Sequence, residues 1–234
     1  LPQVIVHRES PVRNFYTVSL PTSFSDYLAR FTKKKRYNLN RQVRLLREAG
    51  NGDLSLRRIE SVDQIPGFIH DARTIAQQSW QHQYRPELFT GINAVESLGD
   101  LARRNLLRAY VLICGGAPCA FVLGYQRNQV YHYADIGYDQ AYARFSPGAV
   151  LYYLMLEDLI AYRRPVVLNL GIGDSEYKRQ FATDYYQELT VLLFRPHLKN
   201  TVLHLARSVC VFLRSTAKSL LQALQDRRLS RSRS

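Results

Sequence analysis

The chain is poor in the residues that build metal and redox centres. Its 234 residues include three Cys, one Met and one Trp. Cys114, Cys119 and Cys210 form no C-x-x-C pair, and the six His show no ligand spacing, so no metal site is expected. Cys114 and Cys119 flank a predicted hairpin turn, where two reduced, small apolar side chains are expected rather than a crosslink. No stretch reaches the about 18 uninterrupted apolar residues that a membrane span needs, and no signal peptide is visible. A G-x-S-x-G elbow, a Walker A loop and a zinc signature are all missing, which argues against hydrolase, NTPase and deaminase chemistry. No internal repeat is visible. An odd Cys count without a secretory segment points to the cytoplasm. The chain starts at Leu1 rather than Met, so an upstream segment is expected to precede it.

What is present is a foldable, basic chain. It is 46% hydrophobic and 12% aromatic, which excludes global disorder. Sixteen Tyr against ten Phe imply many rings with a wet hydroxyl end. The net charge of +13 predicts attraction to something anionic, such as a nucleotide, RNA, an acidic polymer or a lipid surface. The excess is concentrated in Arg30–Arg47 and from Lys199 to the C-terminus.

Periodicity gives the order of elements. Phe15–Leu20 reads as a short strand. Ser23 and Asp26 have capping-box spacing at a helix start. Helical spacing continues through Leu39, Val43 and Leu46, with Arg41, Arg44 and Arg47 opposite, to a stop at Gly50 in the left-handed region. Asp53–Ile59 alternates as a strand. Ser61 and Gln64 start a helix running to about Trp80, with Pro66 as an early break, and Ala94–Asn105 is a second helix. Leu107–Cys114, Cys119–Gln126 and Gln129–Tyr138 form an antiparallel meander, turning at Gly115-Gly116 and Arg127-Asn128. Ala143–Gly148 is a loop, Ala149–Tyr162 a helix and Val166–Leu170 a short apolar strand of the kind buried in a sheet centre. Gly171–Asp174 is a loop, Ser175–Ala182 a short helix and Glu188–Arg195 a last strand. Beyond Pro196 a cationic amphipathic helix is expected to about residue 226, able to rest on an anionic membrane, then a disordered basic tail over 227–234. A meander followed by a helical crossover implies a mixed sheet, with Gln129–Tyr138 and Val166–Leu170 parallel. The fold class is therefore α/β (α+β), with residues 23–195 as the main domain and 1–22 as the end of a preceding segment.

This order resembles the GNAT (Gcn5-related N-acetyltransferase) fold, in which the two parallel strands splay and hold a pantetheine arm. Lys33–Gly50 (KKKRYNLNRQVRLLREAG), Ala134–Ile160 and Asn169–Ala182 (NLGIGDSEYKRQFA) resemble the CelD-like, "cellulose biosynthesis" acetyltransferase branch, itself related to the Fem-type transferases of peptidoglycan synthesis. The likeness covers roughly residues 25–195 and implies acetyl-CoA, or another acyl-CoA, as co-substrate.

A helix N-terminus offers free N–H groups and a positive dipole end to phosphate. GNAT proteins place the pattern R/Q-x-x-G-x-G/A there for the coenzyme A pyrophosphate, and this chain reads Arg144-Phe145-Ser146-Pro147-Gly148-Ala149. Pro147 replaces the first Gly and removes one N–H, leaving Ser146 and Gly148 as expected donors. Gly137 and Tyr138, at the end of the preceding strand, join Arg144 and Ala149 in the implied cofactor site. Amine acylation requires loss of a proton before attack. Asp135 shares a face with Tyr131 and Tyr133, and His132 shares the other with Ala134 and Ile136; either is the candidate base, depending on which face meets the cleft. By resemblance Tyr177 protonates the leaving thiolate, a sensible match of acidities, and Lys178 meets a phosphate or an acidic acceptor. Gly171 and Gly173 lie at the carboxyl edge of the sheet, where α/β sheets bind ligands. Trp80 is a candidate wall of the acceptor pocket, and Arg41 and Arg44 are candidate contacts for an anionic partner.

Three readings follow. The first is an acyl-CoA-dependent N-acyltransferase acting on a small-molecule or glycan amine of the cell envelope, cytoplasmic or peripheral to the inner face of the membrane. The second is a Fem-like transferase taking an aminoacyl group from tRNA. The third is a non-catalytic module of the same fold that binds an anionic polymer or membrane.

Overall fold

The computed structural model describes residues 5–8, 10–79 and 92–194, with 197, 200, 202, 205, 206, 209 and 210 beyond them. The chain divides into two compact units, 14–186 and the two ends, 1–13 with 187–234. In the smaller unit β1 (Ile5–Arg8) pairs antiparallel with β9 (Val191–Phe194). Asn200, Val202, Leu205, Ala206, Val209 and Cys210 are helical, and Val202, Leu205 and Val209 are exposed. The remainder of the expected amphipathic helix and the basic tail lie outside the described residues.

The larger unit is built on a seven-stranded sheet. Its strands in chain order are β2 (Arg13–Ser19), β3 (Leu54–Ile59), β4 (Ala109–Cys114), β5 (Ala117–Arg127), β6 (Val130–Tyr138), β7 (Val167–Ile172) and β8 (Asp184–Glu188), and in space they run β3-β4-β5-β6-β7-β2-β8. The meander β4–β5–β6 is antiparallel, and β6 pairs parallel with β7. Asn128 and Gln129 both take positive φ, so they, rather than Arg127-Asn128, form the two-residue turn into β6. The last strand expected over Glu188–Arg195 is β9, which pairs outside this sheet; β8, just before it, is an additional strand that joins the sheet edge. The strand near Phe15 lies inside the main sheet, between β7 and β8.

Helices cover both faces. One face carries α1 (Phe24–Ala29), α2 (Lys33–Ala49), α5 (Pro147–Ala161) and α6 (Glu176–Phe181), whose Tyr27, Leu39, Leu46, Tyr152, Met155, Leu156 and Phe181 form one core with the sheet. The other carries α3 (Ile65–Gln77) and α4 (Ile92–Arg103), packed through Phe68, Ile69, Ala72, Ile75 and Leu98. Pro66 sits in the first turn of α3, where its missing N–H costs nothing, so it starts the helix instead of breaking it. Gly50 closes α2 with φ −91°, outside the left-handed region. Its reason is space: a Cβ there would lie 2.4 Å from the Asp53 carbonyl oxygen and 2.7 Å from the Gly115 nitrogen.

A buried arginine fixes α5 to the sheet. Arg108 is 1% exposed and donates to the Tyr110 hydroxyl (2.7 Å), Gln126 Oε1 (2.8 Å), the Asp158 carboxylate (3.0 Å) and the carbonyls of Asp158, Tyr162 and Arg163. These carbonyls belong to the last turn of α5 and to the two residues just past it, so the guanidinium sits at the negative end of the helix dipole. Asp158 also receives Arg58 (2.6 Å) and the Tyr110 hydroxyl (2.8 Å).

Candidate active site

The parallel strands meet over only three pairs, Val130–Val167, Tyr131–Leu168 and His132–Asn169. Beyond them β6 stays with β5 as far as Tyr138, while β7 stays with β2 as far as Ile172. Each strand carries a bulge just past the last shared pair. On β6 the register steps from Tyr133 to Asp135 across two consecutive β5 residues, leaving Ala134 out. On β7 it steps from Asn169 to Gly171, leaving Leu170 out. Bulges bend a strand and end its pairing, so the two halves of the sheet part here and open a wedge. Gly171 takes φ +75°, a glycine conformation that suits such a bulge, and Gly173 takes φ +111° in the turn that follows.

A cavity of about 260 Å³ occupies the wedge. Tyr133, Ile136, Gly137 and Tyr138 of β6 form one wall, with Gly148, Ala149 and Leu151 of α5 and Tyr177 of α6 opposite. Ser79, just past α3, and Phe121 of β5 close it from the other face of the sheet. Gly137 is required by closeness, since a Cβ would lie 2.5 Å from the Phe121 ring. Five residues expected at the site from sequence, Gly137, Tyr138, Gly148, Ala149 and Tyr177, thus share one cavity.

The bulge at Ala134 corrects the expected faces of β6. Tyr131, Tyr133, Ile136 and Tyr138 all pack toward the α5 core, so Asp135 and Gly137 turn to the α3 face together with His132. Asp135 and His132 therefore share a face, and neither lines the cavity. His132 stacks on Tyr125 (4.5 Å between centroids), and its Nδ1 lies 3.2 Å from the Asn169 amide nitrogen. As the amide nitrogen only donates, Nδ1 accepts and the other ring nitrogen carries the proton. Burial, helped by the Arg127 charge, lowers the His132 pKa.

The Tyr177 hydroxyl is buried without a hydrogen-bond partner among the described residues. Burial raises its pKa well above the ordinary value, and the neighbouring Tyr133 and Tyr152 add to the shift. Tyr133 is pushed up to about 12 by burial. The three rings cluster, with Tyr177 centroids 5.4 Å from Tyr152 and 6.4 Å from Tyr133.

At the helix tip, Ser146 adopts a left-handed conformation (φ 55°, ψ 52°) and Pro147 is the first residue of α5. The Ser146 N–H donates to the Ala143 carbonyl and the Ala149 N–H to the Ser146 carbonyl, each at 3.0 Å. Ser146 is thus no free donor, contrary to expectation, because the left-handed turn folds its N–H back on the preceding 3-10 turn (Gln140–Phe145). Gly148 keeps an N–H with no acceptor among the described residues. Arg144 is exposed, its guanidinium 4.6 Å from the Phe145 ring.

The other sequence candidates lie elsewhere. Lys178 donates from Nζ to the Ile172 carbonyl at the end of β7 (2.7 Å), and burial lowers its pKa. Gly171 and Gly173 serve the backbone: the Gly171 N–H donates to Asn169 Oδ1 (2.7 Å) and that of Gly173 to the Asn14 carbonyl (3.1 Å). Arg41 and Arg44 stand exposed on α2, with Arg44 paired to Glu48 at 3.6 Å. Trp80 lies outside the described residues. Sequence reasoning missed Asn169, Tyr133 and Arg108. The first was legible as an amide within an apolar strand, and the last as a charge flanked by Leu107 and Ala109. Among the described residues no cluster of His, Cys, Asp or Glu is fit to hold a metal ion, and no helix is long and apolar enough to cross a membrane.

The site is thus a mixed sheet split at a parallel pair, with a helix tip and a buried phenol beside the split. Residues 33–179 match the family model described as an acetyltransferase (GNAT) domain, and the chain belongs to that family. Solved structures of similar fold include the C-terminal domain (DUF2156) of a putative lysylphosphatidylglycerol synthetase from Agrobacterium fabrum, at TM-score 0.56 and 12% identity, with 88% of this chain and 66% of that one covered. FemX follows at TM-score 0.54 and 10% identity, covering 78% and 61%. L-PGS from Bacillus licheniformis gives 0.52 and 12%, covering 86% and 65%. At such identities the likeness is one of fold, and the chain spans slightly less than two thirds of each of these structures. No curated protein matches the sequence.

Proposed function

We propose that this domain transfers an acyl group from coenzyme A to the amine of an amino sugar or similar cell-envelope intermediate, by direct attack within a ternary complex. The observation that carries the reading is the wedge cavity, with the Tyr177 hydroxyl and the Gly148 N–H at its edge. The thioester lies between β6 and β7, its carbonyl polarised by backbone N–H groups freed where β6 leaves β7. Asp135, on the α3 face, takes the ammonium proton through water; His132 is unsuited to that role, because Nδ1 accepts from Asn169 and the other ring nitrogen is already protonated. The amine nitrogen then bonds to the acyl carbon, the carbon–sulfur bond breaks, and Tyr177 protonates the departing thiolate. Gly148, with Arg144 nearby, meets the pyrophosphate. The finer likeness to the CelD-like branch, and a place at the cytoplasmic face of the membrane, belong to this reading and rest on the sequence stretches that suggested them. Calorimetry with acetyl-CoA tests it: saturable heat at one site is expected, and no heat at high concentration contradicts it.

One observation favours a second donor. With Pro147 lacking an N–H and Ser146 and Ala149 turned inward, a single free N–H remains for a pyrophosphate. A Fem-like aminoacyl-tRNA donor would place less demand on that turn and more on the cations of α2. Affinity for tRNA that falls steeply with added salt, without affinity for acetyl-CoA, would select it.

A further inference from the structure

A second cleft, of about 380 Å³, opens beside α6 between β2, the loop after β7 and β8. Its chemistry runs against the rest of the molecule. In a chain of net charge +13 it gathers Asp174 and Asp184 around the single cation Arg179, with Asn14, Tyr16 and Tyr185. Asp174 Oδ1 accepts from the Tyr16 hydroxyl (2.8 Å) and from Arg179, so these partners hold the carboxylate in place while Oδ2 takes no hydrogen bond among the described residues. The Tyr16 hydrogen bond and the Arg179 charge hold its pKa below the ordinary carboxylate value.

The edge strand β8 adds flat apolar surface. Tyr185, which lines the cleft, is 59% exposed and leans on Tyr16 (5.9 Å between centroids), whereas Tyr186 stacks on Phe15 (4.8 Å) on the opposite side of the strand. A ring with an apolar face and a polar tip suits a ligand that is itself apolar on one side and hydroxylated at its rim. A local carboxylate excess repels phosphate and attracts ammonium. Polyhydroxylated, cationic and flat together describe a glycan carrying free amino groups.

We propose that this cleft is a binding subsite for an amino-sugar oligosaccharide, with a sugar ring laid on Tyr185 and its ammonium on Asp174. The inference rests on the amine-acceptor reading above and deepens it: the acceptor is a chain, held by one unit beside α6 while another reaches the wedge. One short helix serves both clefts, with Tyr177 facing the cavity and Arg179 the subsite.

The test is binding of a β-1,4-linked glucosamine tetramer to the full chain without donor, with cellotetraose as the uncharged control. The variants are Tyr185→Ala, at an exposed site that leaves the core intact, and Asp174→Asn, which keeps an acceptor for Tyr16. Each is expected to weaken the tetramer about tenfold, the scale of one charge-assisted hydrogen bond. Acetyl-CoA affinity should stay unchanged in both variants. Tetramer binding lost in the variants upholds the subsite even if acetyl-CoA fails to bind, which would instead count against the donor reading. No tetramer binding, equal binding of cellotetraose, or full binding by both variants overturns it.

Discussion

Replacing Tyr177 by Phe should make the protein more stable and less active. The Tyr177 hydroxyl is buried with no partner among the described residues, and an unsatisfied buried hydroxyl costs about 1–3 kcal/mol relative to one left in water. Phe keeps the ring against Tyr152, Phe181 and Tyr133 and removes that cost, so a gain of about 1 kcal/mol is expected. In a chain of this size that gain raises Tm by about 2–4 °C. If the phenol supplies the proton to the thiolate, kcat falls by about 100-fold or more, the usual share of a positioned general acid. Burial raises the phenol pKa, so it stays protonated through neutral and mildly alkaline pH, and any alkaline limb it sets lies above the ordinary value of about 10. Thermal melting together with thiol release from acetyl-CoA reads both effects. A variant that melts lower and turns over as fast as the parent would refute the reasoning on both counts.

At Gly148 a Cβ would stand 3.8 Å from Tyr138 with no closer contact, so Gly148→Leu should fold normally yet fill the cavity; the donor KM should rise, and an unchanged KM would place the donor elsewhere. Arg108→Met removes a buried cation from Asp158 and from the Tyr162 and Arg163 carbonyls just past α5, and should cost about 3–5 kcal/mol by urea denaturation, toward the lower end because Arg58 and Tyr110 still reach Asp158; a loss below about 1 kcal/mol would contradict the pinning role. Tyr27 and Tyr133 are held up to about 12, mainly by burial, whereas unfolded tyrosines ionise near about 10. These groups keep their proton longer when folded, so their contribution is complete below the unfolded value and is lost as pH rises from about 10 toward 12. Denaturation free energy should fall across that window, with part of the phenolate absorbance appearing only on unfolding.

The meander was legible because short apolar runs of strand length are separated by turns that carry Gly-Gly and Asn. The parallel crossover was legible from an apolar strand following a helix that Pro165 ends. What escaped the sequence was set by partners rather than by local residues. The bulge at Ala134 arises from how β6 registers against Leu123 and Gly124, and nothing in the string Tyr-His-Tyr-Ala-Asp marks it; it reverses the face of Asp135. The use of the Ser146 N–H depends on a left-handed turn that the Ser-Pro-Gly sequence permits without dictating. Strand β8, Asp-Tyr-Tyr-Gln-Glu, is exposed along its whole length, so it has no buried face to leave a period-two signature and went unassigned ahead of the strand expected from Glu188.

The account stands on the parting of β6 and β7 beyond His132 and Asn169. A crystal structure with coenzyme A bound is the most direct measurement. Density for the pantetheine arm between Tyr133–Tyr138 and Asn169–Ile172, with sulfur beside the Tyr177 hydroxyl, is the predicted result. An arm lying elsewhere, or a wedge filled by its own side chains while coenzyme A sits on another surface, would contradict it.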